Sequence, residues 1–306
     1  MKVWIPHTHG RDLLGPVPSE VTLEIAERPD QLPSDPGDVA FWVPPFLAQA
    51  DSVQLAAKMP GLRVVQLLSA GADAWYGQLP AGVALHDARG VHDSSTAEWV
   101  LTAILSYLRD FPGFARAQAR REWSYSSFAP TDELAGKHVL IVGAGSIGAA
   151  VRARLAPFEV TVTSVARSAR DGVHPVSALP TLLPAADVVV VIVPLTAETR
   201  GLVGRDFLAA MKDGALLVNA ARGPVADTDA LVAALSSGRI GAAVDVTEPE
   251  PLPAEHPLWE MPNVLITPHV AGSVRGLHPR AYRLVGEQLR RFVAGEPLEN
   301  EVVGGY

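Results

Sequence analysis

Three polar residues in the second half of the chain have the types and spacing for one piece of carbonyl chemistry. Arg222 follows the apolar run GALLVNAA, Glu250 lies in DVTEPEPLP just beyond GAAVDV, and His269 follows NVLITP. A guanidinium is a planar fork that grips a carboxylate bidentately. An imidazole can take the proton of a hydroxyl while a hydride leaves the same carbon, and return it in the reverse direction. A carboxylate beside that imidazole would orient it and favour its protonated form. Glu248 is a rival for this last place. Taken singly, each residue has a bland reading. ARGP looks like a turn, the Pro/Glu-rich loop could be solvated, and a lone histidine often serves packing. Each ends an apolar run, and together they read as clamp, proton carrier and partner for a 2-hydroxy or 2-keto acid.

The elements that must position them are legible nearby. HVLIVG, VTVTSV, ADVVVVIV, GALLVNAA, GAAVDV and NVLITP are strand-like and mostly apolar on both faces, the mark of a buried parallel sheet. GRDFLAAMKD and DTDALVAALSSG are helical spacers. Strand, helix, strand in series predicts a doubly wound sheet, whose strands present ligands along their shared carboxyl edge. The first strand runs into GAGSIG and then into the helical AAVRARLAPF. Gly143 permits the tight turn, Gly145 leaves room for a pyrophosphate, and Gly148 lets the helix pack closely. The helix N-terminus offers N–H groups to the phosphates. A dinucleotide cofactor is expected here.

Such a loop usually looks ahead about 20 residues to an acid that holds the ribose hydroxyls. In VTVTSVARSAR that place holds Val165 and Ala166, followed by Arg167. Ser164, Arg167 and Ser168 offer hydroxyls and a guanidinium to a 2′-phosphate. Arg170, farther along, is expected to contribute only field. The reading is NADP (NADPH) in preference to NAD, against an alternative in which both arginines are solvated.

The first hundred residues form a smaller α/β unit without a phosphate loop. MKVWI, DVAFWV and LRVVQLL read as strands, and PPFLAQADSVQLAAKM reads as a helix ended by Pro60 and Gly61. HDSSTAEWVLTAILSYLRDFPGFARAQ reads as one long capped helical pattern, a domain spine or a dimer seam. The last segment is helical, then extended, and is expected to pack back on the first domain. The fold class expected is α/β. A doubly wound dinucleotide-binding domain spans 99–275, and a smaller flavodoxin-like α/β substrate domain is made of 1–98 and 276–306.

Composition sets the outer limits. The chain has 306 residues, 48% of them apolar, a net charge of −8 and no cysteine. These values suit two cored domains, argue against nucleic-acid binding and leave no thiolate chemistry. The most apolar run, ADVVVVIVPL, is too short to span a bilayer, and the start shows no secretory pattern, so a cytoplasmic protein is expected. His7 and His9 are spaced H-x-H, but sequence places no third ligand, so no metal is expected. His86, His92, His138, His174, His256 and His278 are expected in surface or packing roles. Trp75, Tyr76 and Trp259 could wall a substrate cleft or simply pack.

VGAGSIG, VPLTAETRGLVG, LLVNAARGPVADTDAL, AAVDVTEPEPLPAEHPLW and ITPHVAG, in this order, resemble the D-isomer-specific 2-hydroxyacid dehydrogenases over most of residues 134 to 275. QLLSAGADAW resembles that family's substrate loop. The resemblance implies two α/β domains with a cleft between them, usually as a homodimer, and hydride transfer between NAD(P)H and C2 of a small acid such as glyoxylate or hydroxypyruvate. It assigns Arg222, Glu250 and His269 to catalysis, and Ala70, Gly71 and Ala72 with Arg222 and His269 to the substrate. It adds Ser146, Ile147, Val193, Pro194, Ala220, Ala221, Asp245 and Gly272 to the cofactor site. Two departures stand out. The acid after the second strand is missing, and PFEV lacks the family's frequent glycine after Phe158. Glu250 argues against the formate dehydrogenase branch, which has glutamine there. Two alternatives remain: a 3-phosphoglycerate-type dehydrogenase, with Arg89 toward the extra phosphate, and a dinucleotide-sensing, corepressor-like scaffold.

Overall fold

Apolar runs become strands wherever both of their faces find cover. The computed structural model describes residues 1–46 and 50–303. In chain order the elements begin with β1 (Lys2–Ile5), α1 (Gly10–Leu13), β2 (Thr22–Ile25), β3 (Val39–Trp42), α2 (Ala50–Ala56), β4 (Val64–Gln66) and β5 (Ala84–His86). There follow α3 (Asp93–Leu108), α4 (Phe111–Ala119), α5 (Tyr125–Phe128), β6 (His138–Val142), α6 (Ser146–Leu155), β7 (Thr161–Ala166), β8 (Val173–Pro175), α7 (Leu179–Leu182) and β9 (Val188–Val191). The chain closes with α8 (Arg205–Ala210), β10 (Leu216–Asn219), α9 (Thr228–Ser236), β11 (Gly241–Val244), β12 (Val264–Ile266) and α10 (Leu277–Ala294).

The chain forms two compact units, Met1–His92 with Val274–Tyr306, and Asp93–Ser273. The expected boundary at 98/99 would cut α3, a continuous helix that belongs whole to the second unit. The return to the first unit falls at Val274 rather than 276. In the first unit five parallel strands run in the order β2-β1-β3-β4-β5, the flavodoxin-like arrangement. Val3, Ile5 and Phe41 face a cluster completed by Tyr282, Val285 and Leu289 of α10. Trp4, Trp42 and Val65 face the opposite cluster with Leu55 and Ala56 of α2. The C-terminal helix thus packs back on the first unit.

The second unit has seven parallel strands in the order β12-β11-β10-β9-β6-β7-β8. The order reverses between β6 and β9, the switch point at which doubly wound sheets bind ligands. Both faces are dry. Leu140, Val142, Val189, Val191 and Leu217 point to one core, while Val139, Ile141, Val188, Val190 and Val218 point to the other. Ala97, Val100, Ala103 and Ile104 of α3 complete the second core, which makes this helix a spine of the unit.

Several elements differ from the sequence expectation. The long helical pattern breaks at Asp110, which has φ 45° and accepts the Gly113 N–H at 3.2 Å, so α3 and α4 are separate helices. Pro112 sits in the first turn of α4 and cannot continue an upstream helix. Strands β2, β5 and β8 carried no strong signal because they are edge strands of three or four residues. The helix expected from Pro44 begins later; Pro44 and Pro45 precede it without helical structure, and Leu47, Ala48 and Gln49 lie outside the described residues.

The fold also supplies the third histidine that sequence did not place. His278, in the first turn of α10, joins His7 and His9 from the loop after β1. Burial, then the charges of His278 and His9, push His7 down to about 4. No helix among the described residues is long and apolar enough to cross a membrane.

Candidate active site

Three neighbouring strands bring the three polar residues to one edge. β10, β11 and β12 are adjacent and parallel, so the loops that follow them leave the sheet side by side. Arg222 stands three residues beyond β10 in extended backbone, half-buried, with its Nη1 donating to the Ala221 carbonyl at 2.8 Å. Asn219, at the end of β10, shapes that loop from within: its Oδ1 accepts the Ala221 N–H at 3.0 Å and its Nδ2 donates to the Arg222 carbonyl at 3.3 Å. Gly223 follows because a Cβ there would collide with the Thr247 carbonyl of the next loop.

Glu250 and His269 meet directly. His269 Nδ1 lies 2.7 Å from Glu250 Oε1, with the two side chains 24% and 42% exposed. Glu250, not its rival Glu248, holds the ring; the Glu248 carbonyl instead accepts the Thr228 hydroxyl at 2.8 Å. A carboxylate on Nδ1 leaves Nε2 as the working nitrogen. The arrangement can therefore hold and pass a proton at Nε2 while a guanidinium on the neighbouring loop grips a carboxylate.

The histidine loop is braced by a residue expected at the cofactor. Asp245, 3% exposed, accepts the Val270 and Ala271 N–H groups at 2.8 and 2.9 Å, one on each carboxylate oxygen. Thr267 donates its hydroxyl to Asp245 at 2.6 Å and accepts the Trp99 indole N–H at 3.0 Å. The His269 N–H donates to the Asp245 carbonyl at 2.7 Å, and His269 itself sits at φ 55°. A non-glycine residue in this left-handed region is strained and needs such a frame. The sequence reading missed the bracing by Asp245, Thr267 and Trp99. Its one signal was a lone acid at the end of a buried strand, which must find donors.

The glycine loop has the shape a pyrophosphate needs. Gly143, at φ 122°, would drive a Cβ into the Ile192 carbonyl, and Gly148 would drive one into the Gly143 carbonyl. Gly145 faces open space, with no atom within 4 Å of an added Cβ. Ser146 and Ile147 open α6; the Ser146 hydroxyl donates to Asp93 at 2.9 Å and Ile147 packs into the core, so their backbone N–H groups are what they offer a phosphate. Across the switch point, Val193 packs against one core and the Pro194 carbonyl accepts the Thr199 hydroxyl at 2.6 Å. The Ala220 N–H donates to Val191 at 3.1 Å, and Gly272 lies in the turn after His269. These residues fit a dinucleotide.

At the end of β7, Ser164 is buried while Arg167 and Ser168 are exposed. The charge of Arg167 reaches Glu198, whose carboxyl is lowered chiefly by the Thr196 hydroxyl. Arg170 reaches back to the glycine loop, where its Nη2 donates to the Ala144 carbonyl at 2.5 Å. The loop of Ala70, Gly71 and Ala72 lies in the first unit after β4, where the Ser69 hydroxyl donates to the Gly71 carbonyl at 2.8 Å. Trp75 is core, 4% exposed and edge-on to Trp42 at 5.6 Å, which assigns it to packing. Tyr76 and Trp259 remain 41% and 50% exposed.

Residues 101–271 match the D-isomer specific 2-hydroxyacid dehydrogenase, NAD binding domain. The chain belongs to this family. A D-isomer specific 2-hydroxyacid dehydrogenase from Xanthobacter autotrophicus, solved in complex with NADPH and MES, is 35% identical, with a TM-score of 0.84 over 99% of this chain and 97% of that one. An NADPH-dependent glyoxylate/hydroxypyruvate reductase from Sinorhizobium meliloti, in complex with NADP and sulfate, is 28% identical, with a TM-score of 0.83 over 98% of each chain. A mitochondrial formate dehydrogenase from Hordeum vulgare is 37% identical over 81% of this chain and 68% of its own length. As a 2-hydroxyacid dehydrogenase the chain is an NAD(P)-dependent oxidoreductase, with a parallel-sheet NAD-binding domain and a smaller substrate-binding domain.

Proposed function

We propose that the chain reduces C2 of a small 2-keto acid, glyoxylate or hydroxypyruvate, with NADPH preferred over NADH. The product is the 2-hydroxy acid, of D configuration where C2 is a stereocentre. The observation that carries this is the 2.7 Å His269–Glu250 pair, joined across the loops after β12 and β11, the second of which lies beside the loop that bears Arg222. The bound nicotinamide supplies the hydride. Arg222 grips the substrate carboxylate, His269 delivers the proton from Nε2 to the C2 oxygen, and Glu250 fixes the ring. Glu250 also favours a keto acid over formate, because the formate branch of the family carries glutamine. Arg89 pairs with Asp87 at 3.5 Å, which speaks against a phosphate there.

Preference for NADPH is supported by Val165 and Ala166 in place of an acid, by Arg170 over the glycine loop, and by the NADPH and NADP complexes of similar structures. A cytoplasmic homodimer completes the reading, supported by the exposed Phe114, Trp123 and Tyr125, which line one groove that a second copy would cover.

The test is a turnover screen of glyoxylate, hydroxypyruvate and pyruvate with NADPH and NADH side by side, and of formate with NADP and NAD. His269→Ala should lower the rate roughly 10²–10⁴-fold while NADPH binding persists. Equal dissociation constants for NADPH and NADH, or near-normal rates in His269→Ala, would overturn the corresponding part of the proposal.

A further inference from the structure

The first unit gathers three imidazoles from opposite ends of the chain. His7 and His9 follow the carboxyl end of β1, and His278 sits in the first turn of α10, 269 positions after His9. One nitrogen from each ring lies within 4.8 Å of the other two, and among the described residues no other group of three His, Asp or Glu gathers ligand atoms this way. The ring centroids form a near-equilateral triangle of 4.6, 4.8 and 5.1 Å. The ring planes lie 24–31° apart. His9 Nε2 and His278 Nδ1 lie 2.8 Å apart, so those two rings meet nitrogen to nitrogen.

We propose that His7, His9 and His278 form a binding site for one divalent transition metal ion of the zinc type. Three imidazoles on a tetrahedral ion, with Zn–N bonds of about 2.0–2.1 Å, place their ring centres about 5 Å apart and their nitrogens about 3.4 Å apart. The centroid triangle already has that size, and the exposed His9 needs only a small rotation to exchange its bond to His278 for a bond to the ion. Neutral imidazole is a borderline donor that suits zinc, cobalt, nickel and copper over magnesium or calcium.

The surroundings are those of a held ligand. Tyr282, fully buried one turn after His278, places its hydroxyl 2.8 Å from His7 Nδ1. That contact orients the ring and leaves Nε2 for the ion, the arrangement that fixes metal-bound histidines. Gly10 opens α1 against the same tyrosine ring, where a Cβ would collide with it. The rings are therefore framed on the inner side and open toward solvent at His9. Three protein nitrogens leave a fourth position for water. None of Arg222, Glu250 or His269 takes part, so the site is separate in residues and in unit from the hydride-transfer machinery. Its consequence lies in the discontinuous first unit, where the ion would pin the loop after β1 to the returning helix α10.

The experiment uses full-length protein without a polyhistidine tag, stripped with chelator. Zn²⁺ is titrated against a chromophoric competitor, and Co²⁺ is added separately to read coordination from its visible spectrum. The expected result is one equivalent of zinc, an intense tetrahedral cobalt spectrum and a melting temperature raised by the metal. His9→Ala should weaken zinc at least tenfold, and because His9 is exposed this variant keeps the fold, which circular dichroism checks. His278→Gln should do the same, while His138→Ala, a histidine of the other unit, should bind zinc as the unmodified protein does. Zinc binding that is unchanged in His9→Ala, or the absence of a stoichiometric site in the unmodified protein, would overturn the proposal.

Discussion

Thr267→Val tests how the proton carrier is held. His269 occupies φ 55°, a conformation that costs a non-glycine residue about 1–3 kcal/mol. It persists because Asp245 fastens the loop on both sides, through Thr267 before it and the N–H groups of Val270 and Ala271 after it. Valine replaces the hydroxyl with a methyl at nearly constant volume, so the change is one of bonding. The 2.6 Å bond to a buried carboxylate is lost, worth about 1.5–3 kcal/mol. The half-buried Trp99 indole N–H loses its acceptor, at about 0.5–1.5 kcal/mol more. A loss of about 2–4.5 kcal/mol in unfolding free energy is expected, measured by urea denaturation. The remaining amide bonds keep the loop in place, but the loss is as large as the strain they must now hold alone. The fall in kcat should therefore exceed any change in NADPH affinity. Thr267→Ser retains the hydroxyl and should restore both quantities. A valine variant within about 0.5 kcal/mol of the unmodified protein, the ordinary range for an uninvolved surface change, would refute the reasoning.

Four further outcomes follow from the same geometry. Arg222→Lys keeps the charge but loses the fork, and kcat/KM for 2-keto acids should fall at least tenfold with the melting temperature unchanged; equal kcat/KM would remove Arg222 from the clamp. Arg167→Ala should weaken NADPH more than NADH, by roughly 10–150-fold for a lost bond to a charged group; equal losses for the two cofactors, read by fluorescence titration, would take Arg167 out of the 2′-phosphate site. Glu159 sits at φ 56° in the turn before β7, so Glu159→Gly should raise stability by about 1 kcal/mol; a lowered melting temperature would deny the strain. Asp87 is raised above the usual carboxylate range by burial, opposed by the Arg89 N–H and guanidinium. Its contribution is thus fullest below that range and is lost as pH rises through its raised folded value. The melting temperature of Asp87→Asn relative to the unmodified protein should therefore climb as pH rises above the ordinary aspartate value of about 4, and a flat difference would refute the shift.

What could be read from sequence follows from where water is absent. Of the six strands foreseen in the second unit, β6, β9, β10 and β11 are buried along nearly their whole length, so burial wrote itself into continuous runs such as VVVV in β9. Strand β2 reads TLEI with one residue exposed and the rest half-buried, and β8 is VHP, ending in a proline at the sheet margin, so neither needed an apolar run. The glycines were legible because each answers a backbone collision or a required opening. Side-chain direction in irregular loops was not. Glu248 and Glu250 differ only in where a proline-rich loop turns them. Arg170 reaches back to Ala144 because the chain bends sharply after β7, with a bridge between Arg170 and Val173. His278 meets His9 across 269 positions, a distance at which no local pattern carries information.

The relative placement of Arg222, Glu250 and His269 comes from cross-bracing among loops rather than from spacing along the chain. Gly223 in the loop after β10 packs on the Thr247 carbonyl in the loop after β11, and the Thr228 hydroxyl donates to Glu248 in that same loop. Asp245 in turn fastens the loop after β12. Each of the three loops is thus tied to the next by a main-chain group. Main-chain contacts are indifferent to side-chain identity, so they leave little trace in composition. They explain instead why small or polar residues stand where they do: glycine at 223, threonine at 228 and 267, aspartate at 245. Parallel strands bring the three loops to one edge, and these contacts convert a shared edge into a fixed geometry. A change that leaves all three polar residues intact, such as Gly223→Ala, should then still disable the site, because the methyl has no room unless the loop after β11, which carries Glu250, gives way.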